Sequence, residues 1–318
     1  MGDTRAMRVH RRFACLPSGA GGAAVAIGNF DGVHRGHRRV IEAAAATARH
    51  LGAPLGVVTF EPHPREVVNP GLLVPRLTGF ARKAELFEAL GVEELFVLPF
   101  DRAMMQLGAE AFAGEILIGR LALRAIAAGQ NFRFGNNRSG DVRTLARLAA
   151  RLGYGFEAVP GLEDDGPVSS SRIRDLLAAG EIAMVNRLLG YPYAVDGVVR
   201  PGDRRGRTLG FPTANVHPLD QRVVLPATGV YAVRVGRGRG ARMTWHPGVA
   251  NLGRRPTFDG RSLLLEVHLL EGGRDLYGER LRVTFVERLR GERKFAGIDE
   301  LKAQIERDCL SARHSLAA

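Results

Sequence analysis

Along the first half of the chain, short apolar runs alternate with longer segments whose apolar residues recur at helical spacing. Residues 23–27, 54–60, 95–98, 124–128 and 156–159 are brief, small or β-branched runs, the pattern of strands buried on both faces. Between them, residues 38–51, 82–90, 109–118, 142–152 and 172–179 read as helices, with Gly91 and Gly180 as stop signals. Strand and helix in alternation predict a parallel sheet with helices on both faces. The rhythm changes near residues 181–190. Residues 195–199, 229–235, 243–250, 263–269 and 281–286 are short β-branched segments separated by Gly, Pro and Asp, which predicts a small antiparallel barrel. Residues 298–311 close the pattern as one amphipathic helix with Leu301, Ile305 and Cys309 on a stripe. The expected domains are therefore 1–185 and 186–318. No solenoid-length repeat or low-complexity tract interrupts them.

Composition adds limits rather than detail. The 318 residues are 45% hydrophobic and 25% charged, which excludes overall disorder. The two cysteines, Cys15 and Cys309, sit near opposite ends, too few and too far apart in sequence for a disulfide framework or a thiolate zinc site. That usage fits a reducing, cytoplasmic setting. The apolar stretch 116–128 is cut by Arg120 and Arg124 and is too short for a bilayer, so no membrane partner is expected. Near the N-terminus, Arg5, Arg8, Arg11 and Arg12 precede a short apolar run, but Pro17 breaks it, and a secretory signal is not expected.

The formal net charge is +12, and only Lys83, Lys294 and Lys302 among the 45 basic residues are lysine. Such a charge suits anionic partners. The arginines are scattered, however, as a coding bias would scatter them. A dedicated nucleic-acid surface is therefore not the favoured reading, whereas nucleotides and phosphorylated small molecules are.

One constellation follows the first strand: Gly28-Asn29-Phe30-Asp31-Gly32-Val33-His34-Arg35-Gly36-His37. Glycines permit a sharp turn and close backbone approach, and a helix start offers unpaired N–H groups and a positive dipole end to phosphate. His34 and His37 are three residues apart, so on a helical turn they share a face. They could donate to a polyphosphate, bind zinc, or merely cap the helix. Neither a P-loop nor a GxGxxG fits here.

These residues resemble the HxGH signature of nucleotidylyltransferases, in the form found in bacterial FMN adenylyltransferases. Val168-Ser169-Ser170-Ser171-Arg172-Ile173-Arg174 resembles the second signature of that superfamily, with Ser171 where the family usually has Thr. Thr59-Phe60-Glu61-Pro62-His63-Pro64 and Gly129-Gln130-Asn131-Phe132-Arg133-Phe134-Gly135 are similar to two further family segments, with Asn131 replacing the more usual Asp. The resemblance implies a Rossmann-like N-terminal nucleotidylyltransferase domain. It implies ATP-phosphate contacts for Gly28, Asn29, Phe30, Asp31, Gly36, His34, His37, Ser170, Ser171 and Arg174. It implies flavin contacts for Glu61, Pro62, His63, Asn131, Phe132, Phe134 and Arg138.

A second constellation runs from residue 197 to 215. A Gly/Arg stretch holding Gly202, Gly206, Arg207 and Thr208 leads into Gly210-Phe211-Pro212-Thr213-Ala214-Asn215. On residue types alone this is a phosphate-and-metal flap or a solvated hairpin. The segment resembles the signature of riboflavin kinases, in which the Thr and Asn hold Mg-ATP. Residues 226–231, 248–258, 265–268, 275–278 and 289–295 are similar to further segments of that family, in order. The resemblance therefore covers residues 25–308 and implies a bifunctional riboflavin kinase/FMN adenylyltransferase. Glu266 becomes the general-base candidate, Thr213 and Asn215 the Mg²⁺ and ATP ligands, and Asn251, Tyr277, Arg290, Glu292 and Phe295 flavin contacts. The expected partners are riboflavin, FMN, FAD and ATP, with possible self-association and no permanently bound redox cofactor. Three alternatives remain at this stage: a kinase whose adenylyltransferase half is impaired, a flavin- or RNA-binding regulator without turnover, and a nucleotidylyltransferase for another phosphorylated metabolite.

Overall fold

The structure is a computed structural model and describes residues 6–11, 21–201, 210–238, 240–257, 260–271 and 276–317. Cys15, Gly202, Gly206, Arg207 and Thr208 lie outside the described residues. The chain divides into two compact units, Met1–Ser170 and Ser171–Ala318.

In the first unit the buried runs form a six-stranded parallel sheet. Its strands are β1 (Arg8–His10), β2 (Ala24–Ile27), β3 (Leu55–Glu61), β4 (Glu94–Pro99), β5 (Ala125–Gly129) and β6 (Gly155–Val159), in the order β1-β4-β3-β2-β5-β6. Every pairing is parallel. The chain builds outward from β2 to β4 in one direction, then returns to place β5 on the other side of β2. The order thus reverses between β2 and β5, and in open α/β sheets ligands bind beyond the carboxyl ends of the strands at such a point.

Helix α1 (Arg35–Leu51) buries Val40, Ile41, Ala44 and Ala48 on one face, and it stops at Gly52, which is left-handed and donates to the carbonyls of Ala48 and Arg49. Helices α2 (Pro64–Val68), α3 (Phe80–Ala89), α4 (Arg102–Gln106), α5 (Ala109–Ala111) and α6 (Val142–Leu152) complete the unit. The expected helix over 109–118 is present, but it passes from α5 into a π-helical turn over Phe112–Arg120. Phe112, Ile116, Leu117, Leu145 and Leu148 pack there in one core cluster with the sheet residues Ile27, Phe60 and Leu98.

β1, α2 and α4 were not legible from periodicity. Strand β1 is only three residues long, and a specific contact holds it. Glu94, fully buried on β4, accepts from Arg8 and lies 2.6 Å from His10 Nε2, while His10 stacks on Phe96 at 5.1 Å.

The second unit begins with α7, whose helix runs Ser170–Ala179, and α8 (Ile182–Leu189). A closed barrel follows: β7 (Ala194–Arg200), β8 (Ala214–Pro218), β9 (Gly229–Arg237), β10 (Thr244–Thr257), β11 (Gly260–Leu269) and β12 (Arg280–Arg290), ordered β10-β11-β8-β7-β12-β9. Alternate residues fill it: Val195, Val199, Val216, Tyr231, Val233, Val235, Leu252, Leu265, Val267, Val283 and Phe285 are all within 2% of complete burial. Helix α9 (Ile298–Ala317) lays Ala312 and Leu316 over Val230, Ala232 and Val249 on the barrel's outer face. Strand β8 was not among the segments expected from the sequence, and it begins at Ala214 within the second constellation. Sequence alternation across β8 is only five residues long, and pairing with both β7 and β11 recruits it.

Two candidate active sites

Beyond the carboxyl end of β2, residues 28–34 form a tight loop with three left-handed residues: Phe30 (φ 51°), Gly32 (φ 82°) and Val33 (φ 37°). For a β-branched residue such as Val33 this conformation is strained. The loop enters α1 at His34, whose extended backbone and side chain form the N-cap: Nδ1 accepts from the His37 N–H at 3.2 Å. The two imidazoles stack at 3.5 Å, and Phe30 closes edge-on against His37 at 5.3 Å. Gly36 suits this packing, because a Cβ there would stand a tight 3.2 Å from the His34 ring and 3.4 Å from the Val168 carbonyl.

Burial lowers the pKa of His34 from 6.5 to about 4, and burial, then His34 and Lys83, drive His37 well below its ordinary value. Both rings are therefore neutral at pH 7. Since His34 Nδ1 accepts, its proton sits on Nε2. The capping reading thus holds for His34, and the nitrogen a zinc ion would compete for on that side is engaged. Among the described residues no group of three or more His, Cys, Asp or Glu is placed to hold a metal. His37 Nδ1 is buried and has no hydrogen-bond partner.

The other N-terminal candidates fall into three groups. Asp31, buried at 9% exposure, accepts from Leu77 N–H (2.9 and 3.1 Å) and Thr78 N–H (3.2 Å), while Ser170 Oγ donates to its carbonyl at 2.8 Å. Glu61, at the end of β3, accepts from Arg76 (2.8 and 2.9 Å) and Lys83 (3.2 Å). Burial pushes the Glu61 carboxyl up, but Lys83 and Arg76 outweigh it and hold it below the usual range. His63 caps α2 by accepting from Arg65 N–H, and burial lowers its pKa. Beyond β5, Asn131 and Arg138 are exposed and Phe132 is half-buried, stacked on Phe134 at 5.7 Å. Phe134 itself is 7% exposed and packs on Phe112, so its ring is core and supports Phe132. Ser171 and Arg174 lie on the first turns of α7 in the second unit, Ser171 exposed and Arg174 partly so. Arg76, Thr78 and Lys83 were not singled out from the sequence. The available signal was Lys83, a lysine in a chain that otherwise uses arginine almost throughout.

The second site is built by strand register. Asn215 on β8 pairs with Glu266 on β11, and Glu266 pairs with Asn251 on β10. Cross-strand partners point to the same face, so these three polar residues form one row. Leu265 and Val267 flank Glu266 and point into the barrel, so the row faces outward. Asn215 is 8% exposed, whereas Glu266 and Asn251 are half-buried. Gly210 is left-handed (φ 88°), and Pro212 and Thr213 are exposed where the chain enters β8. His268 Nδ1 donates to the Pro212 carbonyl at 2.8 Å and meets Phe211 edge-on at 5.6 Å, fixing that entry.

At the rim, Glu292 is exposed, and its Oε1 stands so close over Gly253 that a Cβ there would lie 3.1 Å away. The Arg290 guanidinium is held by Asp308 of α9 at 2.7–3.1 Å, which makes it an anchor for the terminal helix. Phe295 lies under Arg293 at 4.9 Å, and Tyr277 is 38% exposed.

Comparison with known proteins matches residues 17–172 to the FAD synthetase family and residues 189–316 to the riboflavin kinase family. The chain is 42% identical over 293 residues to the bifunctional riboflavin kinase/FMN adenylyltransferase of Escherichia coli K12, covering 92% of each. It is 38% identical over 293 residues to the protein of that name from Bacillus subtilis, covering 89% of each. Among solved structures, one described as a macrolide-efflux protein from Streptococcus pneumoniae superimposes with a TM-score of 0.87 at 30% identity, covering 96% of this chain and 98% of that one. Among the described residues, no helix here is long and apolar enough to cross a membrane.

Proposed function

This chain belongs to the bifunctional riboflavin kinase/FMN adenylyltransferase family, and from that premise we propose how its residues divide two reactions. The enzyme transfers the γ-phosphoryl group of ATP to riboflavin, giving FMN and ADP. It then joins FMN to the AMP moiety of a second ATP, giving FAD and pyrophosphate. The observation that carries this reading is the pairing of matches in one chain, FAD synthetase on residues 17–172 and riboflavin kinase on 189–316. The two matches leave residues 173–188 between them, and the expected boundary at 185/186 falls in that interval, within α8.

In the kinase the acceptor is a neutral alcohol. Glu266 takes the proton of the ribityl hydroxyl as its oxygen attacks the γ-phosphorus and ADP departs. The row Asn215–Glu266–Asn251 supports this role by presenting a carboxylate between two amides that fix hydroxyl and phosphate. The Thr213 hydroxyl and Asn215 amide oxygen are hard donors that fit Mg²⁺ carried by ATP, which binds through few protein groups and keeps phosphate oxygens as ligands. When bound, that ion offsets phosphate charge. Asn251, Tyr277, Glu292 and Phe295 are the flavin contacts.

In the adenylyltransferase the nucleophile is already an anion, the FMN phosphate, so no strong base is needed. Its oxygen attacks the α-phosphorus of ATP, and the bond to the β-phosphate oxygen breaks. Catalysis then rests on positioning and on neutralising charge. His34 and His37, as neutral donors at a helix N-terminus, hold the triphosphate with Ser170; for Ser171 and Arg174 a triphosphate role is supported by the resemblance of their segment to the second signature. Phe132, Asn131, Arg138, Pro62 and His63 hold FMN. Asn131 and Ser171 keep a polar group at each position, which supports a working site. The use of ATP as substrate supports cytoplasmic residence.

One chromatographic time course tests the reading. Protein incubated with riboflavin, ATP and Mg²⁺ is expected to accumulate FMN first and FAD after it. FMN alone would remove the second activity, and no new flavin would favour a binding role.

A further inference from the structure

The nucleotide loop needs an explanation for its shape. Phe30 and Val33 both hold left-handed backbone, and such strain persists only where the surroundings over-determine it. The restraints come from outside the loop. Toward its end, the Thr78 Oγ1 accepts from Gly32 N–H at 3.1 Å, while Leu77 and Thr78 N–H groups bind the Asp31 carboxylate. At its start, the Asn29 carbonyl receives two donors, Thr59 Oγ1 at 3.3 Å and Lys83 Nζ at 3.4 Å.

Lys83 is 5% exposed on α3, and its ammonium also meets Glu61 Oε1 at 3.2 Å, which in turn is held by Arg76. Burial lowers the lysine pKa, and Glu61 opposes that change. A compact ammonium satisfies a carbonyl and a carboxylate at once, whereas a planar guanidinium spreads its donors in a rigid fork. Such a site accounts for a lysine in a chain whose 45 basic residues include only three.

We propose that Lys83 and Thr78 are positioning residues for FMN adenylylation, gripping the strained loop at two points, the Asn29 carbonyl and the Gly32 amide, so that its backbone and His34 meet the ATP phosphates correctly. This rests on the reading of the first unit as the adenylyltransferase. Neither residue need touch a substrate. Their effect passes through the Asn29 carbonyl and the Gly32 amide.

The test uses the full chain with Lys83→Met, Lys83→Arg and Thr78→Val, measuring FMN adenylylation and riboflavin phosphorylation separately. A displaced loop raises KM for ATP and lowers kcat. The expected loss in kcat/KM for ATP is about 10²-fold, the scale of a misplacement near 1 Å. Lys83→Arg, which keeps the charge, recovers part of that loss. Thr78→Val, close in shape, gives the same signature if Lys83→Met fails to fold. Riboflavin phosphorylation stays at the wild-type rate in each. A purely structural role would instead reduce the active fraction, lowering kcat with KM for ATP unchanged, and that result overturns the proposal. So does wild-type KM in Lys83→Met and Thr78→Val while the unmodified protein makes FAD. An unmodified protein that makes no FAD would overturn the underlying reading instead.

Discussion

The first unit places its candidate phosphate-binding groups in one short loop at a sheet's switch point, whereas the second sets its candidate base and amides across three strands of a barrel wall. The loop presents backbone N–H groups, a helix start and two neutral imidazoles. The barrel presents a carboxylate between two amides, set by register. The difference follows the two nucleophiles. A phosphate monoester is already ionised and needs a mould for the polyphosphate, which a strained loop with many supports provides. A neutral hydroxyl needs a base at a fixed height above a rigid surface, which a strand in a closed barrel provides.

Glu266→Gln separates the two most sharply. Riboflavin phosphorylation should fall about 10²–10⁴-fold, the usual range for a general base, while FMN adenylylation is unchanged in a direct assay. Near-normal kinase turnover would remove Glu266 from that role. His37→Ala is the mirror experiment. FAD formation from FMN should drop about 10²–10³-fold, as for loss of one transition-state donor, with FMN still made from riboflavin.

Acid sharpens the contrast next. His34 and His37 are kept neutral by burial in the folded state but take up protons near 6.5 when unfolded. The unfolded chain therefore binds more protons between that value and about 4, so stability is full above pH 6.5 and falls as pH drops toward 4. For His34 the loss approaches about 3 kcal/mol at the lower end. Thermal unfolding of the wild type against His34→Gln across this range measures it. Equal slopes in the two proteins would exclude the imidazole as the cause. The smallest effect is expected at the rim. Asp308→Asn should lower stability by about 1–2 kcal/mol by weakening the Arg290 anchor, with KM for riboflavin within about twofold of wild type. A large rise in that KM would return Arg290 to the flavin contacts.

Most of the architecture could be read from the sequence, for specific reasons. Helix α6 matches the expected 142–152 to the residue, since Asp141 caps it and Gly153 stops it. Helix α1 starts three residues earlier than its apolar period implies, because His34 rather than a Ser or Asp supplies the cap. Strand β1 is too short to show a period, and a buried glutamate, not a pattern, holds it. β8 was hidden because its Thr-Ala-Asn entry has turn composition, and only its two neighbours make it a strand.

At the sites, motifs located His34, His37, Asn215 and Glu266, but not the tasks of their neighbours. Composition could not tell that Arg290 is occupied by Asp308 or that Phe134 lies in the core. Nor could it show that Asp31 binds the backbone of residues 77 and 78, since each fact depends on contacts distant in sequence.

The central claim is that two separate residue sets in one chain perform two successive transfers. Mixing purified Glu266→Gln and His37→Ala proteins with riboflavin, ATP and Mg²⁺ tests it most directly. Each variant alone should make little FAD, the first for want of FMN and the second unable to adenylylate it. Together they should restore FAD, with FMN released by one protein and consumed by the other. A mixture that makes no more FAD than either variant alone would contradict the claim.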